Sequence, residues 1–273
     1  MTSALADTHC HLSFSAFRGD FHTVLKRASQ AGIRRILVPG IDLGSSQAAI
    51  RLAEQHETIY ASVGIHPHHA DSLDDAVRQK MAQLASSPKV VAIGEIGLDY
   101  YRDLSPREAQ QTAFEWQLEL ARQLELPVVI HCRESIGDVS KTLLKWSKTL
   151  APALKDRCGV MHSYSYNGAH ADEFIAAGFY IGIAGPVTYR KAEALRQTAS
   201  AIHMDRLLTE TDAPYLTPHP HRGKRNEPAH VRLVAEELAK IHHVPLEDVA
   251  QATFKNAGVL FKWSHELDNS NLQ

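Results

Sequence analysis

Short apolar runs alternate with amphipathic helical spacing along nearly the whole chain. Apolar positions at residues 21, 24, 25 and 28 recur with helical period over 20–31, and Gly32 stops the pattern. Further helices are expected over 46–56, 72–85, 105–124, 138–150, 167–177, 192–202, 228–241 and 246–260. Two of them open on capping signals: Ser72-Leu73-Asp74-Asp75, and Ser105-Pro106-Arg107-Glu108 with Pro at the first helical position. After a first strand near residue 6, runs at 33–38, 59–63, 89–93, 126–130, 158–161, 179–183 and 206–208 read as buried strands. Eight strands, each followed by a helical stretch, are what repeated βαβ units require. The best fit is an α/β chain folded as one (β/α)8 TIM barrel over 1–263, with a loose polar tail over 264–273. A doubly wound open sheet is the alternative.

Composition narrows the function classes. The 273 residues are 44% hydrophobic and 22% charged, ordinary for a globular protein. A net charge of −2 provides no broad basic surface for gripping duplex nucleic acid, so a phosphate-bearing substrate must be held by local groups or metals. Cys10, Cys132 and Cys158 show no CxxC spacing, which argues against a disulfide framework and fits a reducing compartment. Neither a signal-peptide pattern nor a membrane-length apolar run is present. The expectation is a cytoplasmic protein with no membrane association and no obligate protein partner.

A barrel makes a specific demand, because its active site lies where the strands end. His9 and His11 follow the first strand, His66 and His68 the third, and Glu95 the fourth. His131 follows the fifth, His162 the sixth and Asp212 the eighth. A lone His or Glu at such a position is ordinarily a hydrogen-bonded loop residue. Four of these histidines with the two carboxylates already exceed the three protein ligands of a mononuclear catalytic zinc site. They suffice for two metals sharing a bridging carboxylate, the arrangement that clamps attacking and leaving oxygens in hydrolysis.

Those residues sit in blocks that resemble the TatD family of metal-dependent hydrolases, among the amidohydrolase-type barrels, and its YjjV-like branch. The blocks are Asp7-Thr8-His9-Cys10-His11, Gly64-Ile65-His66-Pro67-His68, and Gly94-Glu95-Ile96-Gly97-Leu98-Asp99. Leu126 to Arg133, Leu207 to Leu216 and Arg222 to Pro228 complete them. The resemblance implies two divalent ions, from among Zn, Mg, Mn, Ni and Co. By it, His9, His11, Glu95 and Asp212 hold one ion, and Glu95, His131 and His162 hold the second. It also implies phosphodiester hydrolysis, as an exonuclease-like deoxyribonuclease acting on DNA. The run His162-Ser163-Tyr164-Ser165-Tyr166-Asn167-Gly168 departs from the family pattern after its histidine, which predicts a differently shaped substrate mouth.

Asp212 and Glu95 are the catalytic candidates, with Asp212 as proton acceptor; its competing role is a turn or helix cap. Glu210 shares a strand face with Asp212 and either orders a ligand histidine or forms a buried ion pair. His66, His68 and Arg133 are candidates for holding phosphate, Arg133 alternatively pairing with Glu134. Arg222 and Asn226, ahead of the helix expected at Pro228, are further substrate candidates. Tyr100, Tyr101 and Tyr164 are candidates for stacking bases or packing the rim. His219, His221, His242 and His243 are read as non-ligands, and Cys10 and Cys132 as packing groups. An amidohydrolase acting on an amide or lactone, and a silent metal-binding protein, are the alternatives.

Overall fold

The computed structural model describes residues 3–263; the expected 264–273 tail lies outside the described residues. Eight parallel strands form one sheet in chain order. They are β1 (Leu5–Asp7), β2 (Ile33–Pro39), β3 (Ile59–Val63), β4 (Val90–Asp99), β5 (Val128–Arg133), β6 (Gly159–Met161), β7 (Phe179–Ile183) and β8 (Leu207–Thr209). The sheet closes where Thr8 N–H donates to the Thr209 carbonyl at 3.1 Å and Cys10 bridges to Ala213. A sequential strand order has no switch point, so the doubly wound alternative falls away and the fold is a single (β/α)8 barrel.

The helices are α1 (Phe21–Gln30), α2 (Leu43–Gln55), α3 (Asp75–Ala85), α4 (Arg107–Leu124), α5 (Ile136–Ser147), α6 (Pro152–Lys155), α7 (Gly168–Ala176), α8 (Glu193–Ala201), α9 (Val231–His242) and α10 (Leu246–Phe261). None of them is long and apolar enough to cross a membrane. The expected caps need correction. Asp74 caps α3 by accepting from Val77 N–H at 2.8 Å, leaving Ser72 in a preceding 3-10 turn. Pro106, with no side-chain bond, holds the cap position of α4, because Ser105 Oγ instead donates to the His68 carbonyl at 3.1 Å. Pro228 opens a 3-10 turn, Pro228–His230, ahead of α9.

Two strands outrun their apolar segments. β4 continues to Asp99 and β5 to Arg133, because the ladder persists through Ile96–Ile130, Gly97–His131 and Asp99–Arg133. Gly97 has φ 141°, and a Cβ there would collide with the His131 carbonyl. Glu95 and His131 therefore lie within β4 and β5, past the apolar runs that end at Ile93 and Ile130.

The barrel interior is layered. Ala6, Leu37, Tyr60, Val91, Ala92, Val129, Val160, Tyr180 and Leu208 form one buried apolar cluster drawn from all eight strands. Side chains two residues apart share a face, so the next inward positions toward the strand ends are Ser62, His131, His162, Gly182 and Glu210. The apolar layer is a floor, and the polar chemistry stands on it. Leu260, Phe261 and Trp263 after α10 join the same cluster, with the Trp263 ring 5.3 Å from Tyr60 and 5.0 Å from Phe261. Truncating a buried aromatic of this kind costs about 3–5 kcal/mol. Trp263→Ala is expected to lose that much in urea unfolding; a loss below about 1 kcal/mol would show that the floor does not depend on Trp263.

Candidate metal centre

The loops after β1 and β8 are laced together beneath the first histidine pair. Asp212 N–H donates to the His9 carbonyl and His11 N–H to the Ala213 carbonyl, both at 2.8 Å. Buried Asp7 braces the same junction, accepting from Thr211 N–H at 2.9 Å and Thr211 Oγ1–H at 2.6 Å. Burial pushes the Asp7 carboxyl up to about 8, against the pull of these donors. Asp212 adopts φ 54°, a left-handed conformation that Asp tolerates better than most residues. Its side chain faces the histidines and caps no helix among the described residues.

Glu95 lies between two groups of nitrogens. Its Oε2 is 3.3 Å from His9 Nε2 and 3.7 Å from His11 Nε2. Its Oε1 is 2.9 Å from His131 Nδ1, 3.5 Å from His66 Nε2 and 4.0 Å from His162 Nε2. Asp212 Oδ1 completes the first group at 3.4 Å from His11 Nε2, 3.8 Å from His9 Nε2 and 3.7 Å from His162 Nε2. The His9 and His11 Nε2 atoms are themselves only 3.2 Å apart. Two imidazole nitrogens and two carboxylates converging on one point are the donor set of a divalent cation, and the residues fit one.

Among the described residues, three triads of donor atoms are close enough to hold a metal ion: His9–His11–Asp212, His9–Glu95–His162 and His66–Glu95–His131. All six expected ligands are therefore brought together. The second group differs from expectation, because His66 is buried against Glu95 and its ring lies 4.4 Å from that of His131. His66 is placed in the metal-competent cluster rather than at the rim.

Electrostatics favours the metal-ready protonation states at the first group. Burial, then His162, lowers His9, which leaves its imidazole neutral. Burial opposes ionisation of Glu95, yet His66, His9 and the hydrogen bond with His131 hold its carboxyl well below the usual range. Burial likewise opposes ionisation of Asp212, and His11, His162 and His9 hold it low. His162 behaves differently: burial pulls it down, but Glu210 beside it raises it to about 10.

Glu210 fulfils both of its expected roles at once. Its Oε1 lies 2.9 Å from His162 Nδ1 as a buried ion pair, and that contact also orients the ring. Room for the carboxylate comes from Gly182, where a Cβ would sit 2.7 Å from Glu210 Oε2.

Asp99 is the residue that sequence reasoning missed. Its Oδ2 lies 2.8 Å from His68 Nε2 and 3.0 Å from His131 Nε2, while Oδ1 accepts from Tyr101 and Arg102 N–H. Burial opposes ionisation, and the hydrogen bond with His131 leads the contacts that hold it well below the usual carboxylate range. The signal was present: Glu95, Gly97 and Asp99 alternate with strand period.

A cavity of about 610 Å³ opens above the cluster. His68 and Arg133 line it, and the Arg133 guanidinium lies 3.9 Å over the Tyr101 ring rather than against Glu134. Tyr101 is exposed, whereas Tyr100 donates to Asp138 and Tyr164 to the Asn167 carbonyl, so those two are committed to packing. Cys10 is fully buried; Cys132 lines the cavity wall. His219, His221, His242 and His243 stay outside the cavity.

Two substrate candidates are corrected. Asn226 is fully buried, its Nδ2 donating to the Thr211 and Tyr215 carbonyls and its Oδ1 accepting from Glu227 N–H. It fastens the β8 loop and has no free polar atom to offer a substrate. Arg222 does not line the cavity; its guanidinium lies 4.3 Å over Tyr189. Neighbouring Arg225 is held by Asp20 at 2.7 Å.

A barrel with histidines and carboxylates gathered at its strand ends belongs to the class of metal-dependent hydrolases. A family model described as TatD related DNase matches residues 6–262, and the chain belongs to that family. It is 39% identical to the metal-dependent hydrolase YabD of Bacillus subtilis, over 94% of this chain and 99% of YabD. It is 38% identical to the 3'-5' ssDNA/RNA exonuclease TatD of Erwinia amylovora, covering 93% of this chain and 98% of that one. The crystal structure of YjjV from Escherichia coli superposes with a TM-score of 0.89 at 33% identity, covering 96% and 99% of the two chains.

Orienting groups behind metal ligands typically control affinity about 10–100-fold. Glu210→Gln is expected to weaken divalent-metal binding by that factor in calorimetry while the barrel still folds by circular dichroism; unchanged affinity would remove Glu210 from the centre. Because His162 is raised to about 10, metal binding at pH 8 must displace its proton, so apparent affinity rises with pH. Calorimetry in buffers of different ionisation enthalpy should detect about one proton released, and no release would contradict the assignment of His162.

Proposed function

We propose that this metal-dependent hydrolase cleaves phosphodiester bonds at the ends of single-stranded DNA, using two divalent ions. The observation that carries the reading is Glu95, whose two oxygens face separate groups of histidines beneath an open cavity. His9, His11, Glu95 and Asp212 hold one ion; Glu95, His131 and His162, with His66 beside them, hold the other. The name borne by the Erwinia amylovora relative supports a nucleic-acid substrate. A net charge of −2 suits a cleft that takes a strand end over a surface that slides along duplex.

Divalent ions bound there supply Lewis-acid stabilisation of the charge that develops at phosphorus and make water nucleophilic at neutral pH. The chain's own residues do the rest. Asp212, held ionised by His11 and His162, accepts the proton of the attacking water at a carboxylate oxygen. Arg133, its guanidinium plane set by Tyr101, and His68, oriented by Asp99, face the phosphate from the cavity wall. Asn226 and Asp7 keep the Asp212 loop in register. This reading places the enzyme in the cytoplasm, where three free cysteines suit a reducing compartment.

Labelled single-stranded DNA incubated with the protein and Mg, Mn, Zn or Co is expected to shorten from an end, and chelator should stop the reaction. Asp212→Asn is expected to lose about 10²–10⁴ in kcat, the range of a general base. Intact DNA alongside turnover of amides or lactones would overturn the reading in favour of an amidohydrolase.

A further inference from the structure

The catalytic cavity has a neighbour. Between the β1–α1 loop and the outer face of α2 lies a second cavity of about 310 Å³, and Phe14 lines both. Phe14, Phe17, Phe21 and Leu52 give the second cavity an apolar wall, and Arg18 and Arg51 stand along it. Both arginines are exposed. Neither guanidinium has an ion pair, side-chain hydrogen bond or aromatic partner among the described residues, and no carboxylate lines the cavity.

That is unusual in this neighbourhood. Arg27 is paired with Asp20 and Glu227, and Arg225 with Asp20. Arg18 and Arg51 are left with their donors open to solvent, on a groove that shares Phe14 with the cavity holding the metal-competent cluster. The shared edge is aromatic: the Phe14 ring stacks on His11 with centroids 4.6 Å apart, and exposed Tyr215 stands 6.5 Å away. Aromatic surface beside a cationic groove is how single-stranded nucleic acid is held without sequence preference, bases on the rings and phosphates on the cations.

We propose that the α1–α2 groove is a second nucleic-acid subsite, in which the single strand leaving the metal centre crosses Phe14 and sets its next phosphates on Arg18 and Arg51. The inference rests on the phosphodiesterase reading, since it names where the uncleaved part of that substrate lies. Recognition is by charge and stacking, so it is indifferent to base sequence. Both arginines lie outside the metal cluster, so their removal weakens the grip on the strand and leaves the metal site intact.

The test is fluorescence anisotropy with a labelled ten-residue oligothymidylate and metal-loaded protein, titrated over a range of salt. Arg18→Ala/Arg51→Ala is expected to bind about tenfold more weakly, with a salt slope shallower by about 1.4, the value for two lost phosphate contacts on a single strand. Arg18→Lys/Arg51→Lys keeps the charges and should recover most of the affinity. A double alanine variant that binds with wild-type affinity and slope would overturn the subsite, as would a wild-type protein that does not bind the oligonucleotide. Salt-dependent binding lost in the double variant, but with no cleavage by the wild type under any metal, would keep the subsite and overturn the phosphodiesterase reading instead.

Discussion

Glu95 is a carboxylate fully enclosed in the barrel mouth, and an isolated charge in such a place costs several kcal/mol. Five histidines surround it, three on its Oε1 side and two on its Oε2 side. Their proximity is what keeps the carboxyl ionised, and its charge is what gathers the nitrogens. Remove the carboxylate and five imidazoles face one another with little to separate them. The remaining acids act on the periphery of this contact: Asp212 closes the first group, Asp99 takes the far nitrogen of His131, and Glu210 takes that of His162.

The barrel supplies the rigidity this arrangement needs. An apolar layer drawn from all eight strands fills the interior, and α10 with Trp263 extends it from below. Polar side chains begin one inward position later on β3, β5, β6 and β8, at Ser62, His131, His162 and Glu210, so the metal-competent cluster rests on packed hydrocarbon beneath the cavity. The extension of β4 and β5 matters for the same reason. His131 is paired with Gly97 in the β4–β5 ladder, Glu95 N–H donates to the Gly40 carbonyl at 2.8 Å, and Gly97 permits the close approach of β4 and β5 at that level. Precision on this scale is hard to obtain from loops.

Most of this was legible in the chain. The eight apolar runs located the strands, and the polar residues after them located the metal-competent cluster, because a closed barrel forces strand ends together. What escaped was set by tertiary contact. Asp99 was hidden because the apolar run of β4 ends at Ile93, and only pairing with β5 reveals that the strand continues. His66 looked like a rim residue, since nothing local shows that its ring turns toward Glu95. Ser105 carries a strong capping signal, yet its hydroxyl is captured by the His68 carbonyl, a partner 37 residues away. Asn226 sat in a basic run and was read with it, although burial commits its amide to the backbone of the β8 loop. Glu210 was found because two-residue periodicity is a local property; the same rule applied beyond Ile93 would have found Asp99.

The proposed role of Glu95, joining two metal positions at the mouth of this barrel, is open to measurement. Anomalous diffraction at the manganese edge, on crystals grown with Mn²⁺, tests it directly. Two peaks about 3.5–4 Å apart are expected, one against His9, His11 and Asp212, the other against His131 and His162, with Glu95 between them. A single peak that does not touch Glu95, or manganese bound only outside the mouth, would contradict it.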